Sequence, residues 1–414
     1  MKNNEISGKR QLEFVNLFPY IREAGTEGEE KAARTIMEYL KSFGVESRME
    51  SFEFETIRIT DERLVVTEPY EKEYPITAYG GMAGSTPKEG IEVDFLYVEN
   101  GDLISLSHAK GKFVLINEVL KTPIWYKRVC DADVAGFGSI AGTPIDQGAD
   151  LIPDRRNLRP NDKGIQGVRV HYLDALEMVE KGASKARLTV CREKYICKSA
   201  NVVARIEGTD KADEILTLTA HYDSVPAGPG AYDNMSGAAI IMELCRYFSE
   251  NRPRRTMEFV WFGAEEKGLR GSKAYIAAHE EELAKHQFNM NVDLAGQAVG
   301  ATVIGLTADD KACEVLTGFA KEIDLGMEIL HKVWSSDSNT FAWKGIPAMT
   351  LNRDGFGMHT HYDTVDRISA WSLGRSAVLL GYIAEQLGNL DEMPFERHVP
   401  EEFVKQLEPA YIKR

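Results

Sequence analysis

Cysteine is scarce in this sequence, and long apolar runs are missing altogether. The 414 residues include five cysteines, an odd number whose spacings match no disulfide framework. No apolar stretch reaches the length of about 18 residues that a membrane-spanning helix needs. The first residues, MKNNEISGKRQLEFVNLF, lack the apolar centre of a signal peptide. We therefore expect a cytoplasmic protein that does not enter a membrane.

Basic residues are outnumbered by acidic ones. Lys and Arg total 49 against 64 Asp and Glu, so the formal net charge is −15. A surface of this sign repels nucleic acids and anionic membranes, and no basic stripe with interleaved aromatic residues offsets it. We expect no nucleic-acid partner, and the oligomeric state stays open.

Strands and helices alternate in the second half of the chain. A helix over 25–44 and a strand over 45–55 come first, and the pattern resumes after residue 200. It predicts strands at 201–208, 214–224, 255–266, 290–296, 301–306 and 347–353, and helices at 235–251 and 268–286. Buried strands alternating with helices indicate an α/β fold with a mixed, mostly parallel central sheet flanked by helices.

The middle of the chain has a different character. Short β-like pieces separated by turn signals fill residues 57–195, and 186–191 is one of them. This change predicts a smaller β-rich domain inserted into the α/β domain. The expected domains are 1–55 with 196–414, and 56–195.

Reactive side chains collect where the predicted strands end. The stretch LTAHYDSVPAGPGAYDNMSGAA, residues 218–239, places His221, Asp223, Asp233 and Asn234 after a buried apolar strand. Functional residues of α/β sheets gather at the carboxyl ends of strands. Buried acids need partners, because burying an unpaired charge is very costly. The acids here therefore belong either to a well-capped turn or to a metal site.

A metal site has enough candidate ligands in this sequence. They are histidines and carboxylates without a thiolate, a set that zinc accepts: His221, Asp233, Glu266, Asp293 and His359. Five protein ligands are more than one catalytic zinc ion usually has. Two ions that share one carboxylate would use all five. Asp233 suits the shared position because its glycine-rich turn allows close approach. Glu265, which precedes the candidate ligand Glu266 in sequence, could serve as a base that is not itself a ligand.

Five short motifs in a fixed order carry a family resemblance. They are HYD at 221–223, GAYDN at 230–234, GAEEKGLRGS at 263–272, NVDLAG at 291–296 and HTHYDT at 359–364. Together they resemble the co-catalytic zinc aminopeptidase family, whose relatives include bacterial leucyl aminopeptidases and glutamate carboxypeptidases. The resemblance covers roughly residues 1–55 and 196–414.

The resemblance implies two divalent metal ions, expected to be zinc. His221 and Asp293 would complete the shell of one ion, and Glu266 and His359 that of the other. Asp233 would bridge the two ions. A cis peptide is expected after this bridging aspartate, between Asp233 and its neighbour in sequence.

The same resemblance implies the catalytic roles. Glu265 would be the general base that takes a proton from the shared water and passes it to the leaving amine. Asp223 and Asp363 would orient His221 and His359.

Two positions keep alternatives. The HTxxDT pattern favours His359 over His361 as the final ligand. His361 would then be a rim or substrate contact, or merely exposed. Asp337 lies in a stretch similar to a family loop near the substrate. A turn role and a role in positioning the substrate both stay open for it.

The inserted segment resembles a protease-associated domain. Residues 111–118 are similar to its strand, and 132–144 are similar to its helix–strand unit. Such inserts cover the active-site cleft and restrict substrates, which is the role that the resemblance implies here.

The expected function is that of a metal-dependent exopeptidase acting on peptide substrates. An aminopeptidase that hydrolyses N-terminal peptide bonds is favoured. A carboxypeptidase-like or dipeptidase relative, a one-zinc glutaminyl cyclase and a receptor-type protein without chemistry are the alternatives. The sequence leaves side-chain specificity and the physiological metal open.

Overall fold

The computed structural model describes residues 5–80, 84–117, 124–145 and 164–411. These residues separate into two compact units, Met1–Phe54 with Cys197–Arg414, and Glu55–Ile196. Glu118, the last residue of the predicted 111–118 strand motif, lies outside the described residues. Within the described ranges, no helix is long and apolar enough to cross a membrane.

The strands and helices are labelled here in chain order. The strands are β1 (Ser47–Glu68), β2 (Lys72–Tyr74), β3 (Ile76–Ala78), β4 (Ile91–Tyr97), β5 (Phe113–Ile116), β6 (Gly136–Ala141), β7 (Gln166–His171), β8 (Lys185–Ile206), β9 (Lys211–His221), β10 (Arg255–Phe262), β11 (His286–Val292), β12 (Thr302–Thr307), β13 (Glu328–His331) and β14 (Ala348–Arg353). The helices are α1 (Gly8–Val15), α2 (Glu27–Ser42), α3 (Ile124–Asp131), α4 (Tyr172–Glu180), α5 (Ser236–Glu250), α6 (Arg270–Ala278), α7 (Asp310–Glu322), α8 (Ser338–Trp343), α9 (Ala370–Asn389) and α10 (Glu401–Tyr411).

The first unit is built on a mixed, mostly parallel sheet. Its strand order is β13-β12-β14-β11-β9-β10-β8. The pairs β13/β12, β14/β11, β11/β9 and β9/β10 are parallel, whereas β12/β14 and β10/β8 are antiparallel. The predicted fold class is confirmed.

Both faces of this sheet are covered, which explains why its strands are apolar throughout. Successive side chains of β10 alternate between two cores, as the pleat requires. Phe259 and Trp261 pack into the larger core with residues of α1, α2, α5, α7 and α9. Val260 and Phe262 pack into a second core with residues of α6 and α8.

Several predicted elements differ in their bounds from those observed, and one strand and one helix are examples. The strand predicted at 201–208 is the second part of the longer β8, whose first part includes the piece predicted at 186–191. The helix predicted over 268–286 ends at Ala278. Three glutamates follow His279, and acidic residues are unfavourable at the negative end of a helix dipole. His279 instead places Nε2 3.0 Å from Glu50.

The second unit contains four parallel strands and one antiparallel strand side by side. Strands β4, β5, β6 and β7 are parallel neighbours, and β3 joins β7 in the antiparallel direction. Helix α4 follows β7 directly. Two hydrophobic clusters lie within this unit, one around Phe113 and Val168 and the other around Phe137 and Val114.

The parallel strands of the first unit bring three chain segments to one edge. Strands β9, β10 and β11 are adjacent and run in the same direction. Phe262 at the end of β10 pairs in register with His221 at the end of β9. The residues that follow these strands are therefore neighbours in space, which sets up the candidate site.

Candidate metal centre

Each predicted site residue lies at or just beyond the carboxyl end of a strand, or in a turn beside it. His221 is the last residue of β9, and Asp293 directly follows β11. Glu265 and Glu266 follow the end of β10. Asp233 belongs to an irregular turn, Ala231–Met235, that leads into α5.

One group of donors forms around His221. Its Nε2 lies 3.1 Å from Asp233 Oδ1 and 3.6 Å from Asp293 Oδ1. All three side chains are buried. Their nitrogen and oxygen atoms lie within 4.8 Å of one another, so a single cation could contact all three.

A second group shares Asp233 with the first. His359 Nε2 lies 3.0 Å from Asp233 Oδ2 and 3.0 Å from Glu266 Oε1. The two carboxylate oxygens of Asp233 therefore face different histidines. His361 belongs to neither group of donors among the described residues, and its ring lies 4.0 Å from that of Tyr362. The structure thus brings together all five candidate ligands, with His359 in the position that either histidine could have taken.

The charges of this cluster call for a compensating cation. Burial tends to raise the pKa of Asp233, but hydrogen bonds with His221 and His359 hold that pKa below its usual range. Burial tends to lower the pKa of His221, but its contacts with Asp223, Asp233 and Asp293 raise it well above the usual range. The pKa of His359 is raised to about 10 against the effect of burial, by Asp233 and Glu266. The histidines hold protons because a positive charge beside the carboxylates stabilises their ionised form.

Glu265 belongs to neither group of donors, yet its carboxyl is strongly perturbed. Burial raises its pKa well above the usual range, the charge of His221 opposes this, and the charges of Glu266, Asp337 and Asp293 add to it. The pKa of Asp337 is itself raised to about 7 by burial, against the charge of His221. A carboxylate in such surroundings is suited to accept a proton.

Asp223 connects the end of β9 to the segment after β10. Its two carboxylate oxygens accept hydrogen bonds from the backbone N–H groups of Glu265 and Glu266, at 3.0 and 3.2 Å. Its Oδ1 also lies 3.3 Å from His221 Nδ1, although the alignment is not that of a well-formed hydrogen bond. Asp223 therefore holds the tandem glutamates and contacts the histidine electrostatically.

Asp363 does not orient His359 as expected. It accepts hydrogen bonds from the backbone N–H groups of Tyr232 and Asp233, at 2.5 and 3.0 Å. Among the described contacts, none joins it to His359. The expectation was wrong because the backbone N–H groups of the turn before α5 need an acceptor, and the carboxylate of Asp363 supplies it. Asp363 thus positions the shared aspartate.

The predicted cis peptide between Asp233 and Asn234 is confirmed. The Asn234 side chain donates to Val292 O at 2.7 Å and accepts from the backbone N–H of Leu294 at 3.2 Å. These residues flank Asp293. Asn234 therefore fixes the spacing between the shared aspartate and the aspartate that follows β11.

Comparison with known proteins shows a likeness to peptidases. Residues 201–384 match the model of peptidase family M28. This part of the chain, which carries all five candidate ligands, is therefore similar to that family. Three other likenesses extend beyond the M28 segment.

The chain is 26% identical over 344 residues to aminopeptidase YwaD of Bacillus subtilis (strain 168), covering 82% of this chain and 69% of that protein. It is 25% identical over 403 residues to carboxypeptidase Q of Mus musculus, covering 90% of this chain and 83% of that protein. The solved structure of BSAP, a zinc aminopeptidase from Bacillus subtilis, shares the fold with a TM-score of 0.79 at 22% identity, over 95% of this chain and 99% of that chain.

Two buried charged residues near the candidate metal centre were missed by the sequence analysis. Arg22 and Glu29 both lie before the residues that match the family model. Burial and the charge of Asp223 raise the pKa of Glu29 to about 8, against three hydrogen bonds that it accepts. A signal for Glu29 was present, because it shares a helix face with the apolar Ile36 and Leu40.

Arg22 holds the loop between the two segments that carry His221 and Asp233. Its guanidinium donates to the carbonyl oxygens of Tyr222 at 2.7 Å, of Gly230 at 3.0 Å and of Pro229. Burial lowers its pKa to about 10, against the charges of nearby acids that include Asp223 and Asp363. It contributes both loop geometry and positive charge.

Replacing Arg22 tests this role. Arg22→Met leaves three loop carbonyl groups without their donor and removes a buried positive charge near several acids. We expect the free energy of unfolding to fall by about 3–5 kcal/mol, and zinc binding to weaken because the loop joins two of the donors. Urea unfolding and zinc titration measure the two effects. Arg34→Met, at an exposed position, is the control, and equal values for both variants would contradict the account.

Proposed function

We propose that this chain is a metal-dependent aminopeptidase that hydrolyses N-terminal peptide bonds. The observation that carries the proposal is the pair of donor groups that share Asp233. The M28 match and the similarity to aminopeptidase YwaD support it.

The donor set suits two divalent cations, and zinc in particular. His221, Asp233 and Asp293 would hold one ion, and Asp233, Glu266 and His359 the other. Imidazole nitrogen and carboxylate oxygen are ligands of catalytic zinc, and three protein ligands for each ion leave a position open. When bound, the ions lower the pKa of a water molecule and polarise the substrate carbonyl.

Glu265 acts as the general base in this proposal. It is outside both donor groups but adjacent in sequence to Glu266, so its carboxylate stays available to the attacking water. Asp223 fixes its backbone through the hydrogen bonds described above. The raised pKa of Glu265 favours proton uptake. The carboxylate accepts a proton from water and passes it to the leaving amine.

A carboxypeptidase is the second candidate. It is favoured by the similarity to carboxypeptidase Q, which extends over 83% of that protein. The donor groups do not discriminate between the two ends of a peptide. Whether the enzyme is an aminopeptidase or a carboxypeptidase therefore depends on which free terminus of the substrate it requires. A glutaminyl cyclase remains the third alternative and is tested in the same assay.

We also propose that residues 56–195 form a protease-associated-like domain. The support is that Glu55–Ile196 is a compact unit with hydrophobic clusters of its own. The cytoplasmic location stays a prediction from the sequence.

A panel of peptides tests the proposed activity. Substrates with free amino termini should be cleaved from the amino end, whereas N-acetylated versions should not. A chelator should abolish cleavage, and added zinc should restore it. Release of C-terminal residues from the blocked peptides would favour the carboxypeptidase. Cyclisation of an N-terminal glutamine with one zinc per chain would favour the cyclase, and no turnover with zinc present would contradict all three.

Substitutions separate metal binding from proton transfer. Glu265→Gln should retain two zinc ions per chain while kcat falls about 10²–10⁴-fold, because the base is lost but no ligand is removed. Asp233→Ala should lose zinc, because both donor groups depend on it. Elemental analysis and steady-state kinetics measure these effects, with the exposed Glu314→Gln as control. A Glu265→Gln enzyme with normal kcat would remove Glu265 as the base.

Zinc binding should depend on pH. The surrounding carboxylates raise the pKa values of His221 and His359 against the effect of burial, so protons on both rings must be released when zinc binds. Affinity should therefore keep rising with pH until about pH 10, the pKa of His359, with release of protons. Calorimetric titrations in buffers of different ionisation enthalpy measure this release. Affinity that is independent of pH would contradict the assignment of these histidines.

A further inference from the structure

The corner that carries the tandem glutamates is held by an unusual series of hydrogen bonds. Four consecutive backbone N–H groups, directly after β10, each donate to a side-chain oxygen. They are Gly263 to Asn201 at 3.2 Å, Ala264 to Glu29 at 3.2 Å, Glu265 to Asp223 at 3.0 Å and Glu266 to Asp223 at 3.2 Å. These acceptors come from three separate segments of the chain.

This corner needs external support. Ala264 has a positive φ of 53°, a left-handed conformation that costs a residue with a Cβ atom roughly 1–2 kcal/mol. Buried N–H groups beyond the end of a strand also destabilise the folded protein if they have no acceptor. The side-chain oxygens therefore determine where the backbone of Glu265 lies.

Glu29 supplies the acceptor for Ala264 from helix α2. Its side chain is buried, with 3% of its surface exposed. Oε1 accepts from Ala264 N at 3.2 Å and from Ser199 Oγ at 2.6 Å, and Oε2 accepts from Gly25 N at 2.7 Å. A single carboxylate thus joins the start of α2, the strand β8 and the corner after β10.

The packing leaves little room for this corner to shift. A Cβ atom at Gly263 would lie 2.8 Å from Glu29 Oε1 and 2.5 Å from both Ala200 O and Ser199 Oγ. The backbone therefore lies directly against the carboxylate. A shorter or apolar side chain at position 29 would leave the Ala264 N–H group without an acceptor.

We infer that Glu29 is a positioning residue for the reaction, which fixes the corner from which Glu265 reaches the substrate. The inference rests on the proposed role of Glu265 as general base. Glu29 contacts no donor of the two metal groups in the described structure. Its removal should therefore affect the placement of the base and leave the metal ligands in place.

Kinetics of Glu29→Leu and Glu29→Gln test the inference. The leucine variant should lower kcat by about 10–100-fold, the range for residues that orient catalytic groups, while KM changes less than about threefold and two zinc ions remain bound. The glutamine variant keeps one carbonyl oxygen and should recover part of the loss. Glu30→Leu and Glu30→Gln are matched controls, because the next residue of α2 is exposed.

Hydrogen–deuterium exchange provides a readout that does not need activity. Peptides covering Gly263–Leu269 should exchange faster in Glu29→Leu than in Glu30→Leu, with the rest of the first unit unchanged. Faster exchange throughout that unit, with kcat reduced only in proportion to the folded fraction, would overturn the positioning role. Wild-type kcat and wild-type exchange in both Glu29 variants would overturn it as well.

The outcomes also separate this inference from the proposed function. An active wild-type enzyme with unaffected Glu29 variants would remove the inference and leave the function intact. An inactive wild-type protein whose corner still loosens in Glu29→Leu would remove the function and retain the structural contact. If the leucine variant does not fold, the nearly isosteric Glu29→Gln decides both measurements.

Discussion

Repulsion between acids at one edge of the sheet is the constraint on which the rest of the structure depends. Asp233, Glu266 and Asp293 converge where β9, β10 and β11 end, and Glu265 lies beside them. Buried carboxylates at this density are unstable without positive charge. The two histidines supply it when protonated, and two divalent cations would supply more. The shared Asp233 reduces the number of acids that two cations need, because each of its oxygens faces a different histidine.

The surrounding structure holds these charges apart and in place. Asp223, Asp363 and Glu29 are themselves acidic, yet each accepts backbone N–H hydrogen bonds from the segments that carry the site. Arg22 adds a buried positive charge and closes the loop between β9 and α5. Carboxylates thus serve two purposes here. Some belong to the donor groups, and others accept hydrogen bonds from backbone N–H groups around the site. Rigid support of this kind is what a catalytic group needs for accurate placement.

The sequence predicts the fold class and places the candidate ligands at strand ends, because apolar periodicity and strand direction are local signals. It could not predict partnerships over long distances. The helix face of Glu29 indicates burial, but its partner Ala264 is 235 residues away, and no local pattern identifies that pair. Asp363 was misread for the same reason, because its partners are N–H groups of a distant turn. The end of α6 at Ala278, by contrast, follows from the three glutamates after His279, which are a local signal.

The most direct measurement is a crystal structure of the zinc-loaded protein with diffraction data collected on both sides of the zinc absorption edge. Two anomalous peaks are predicted, about 3.5–4 Å apart, with one oxygen of Asp233 toward each. One peak should adjoin His221 and Asp293, and the other should adjoin Glu266 and His359. A single peak, or two peaks that do not share Asp233, would contradict the paired-cation centre.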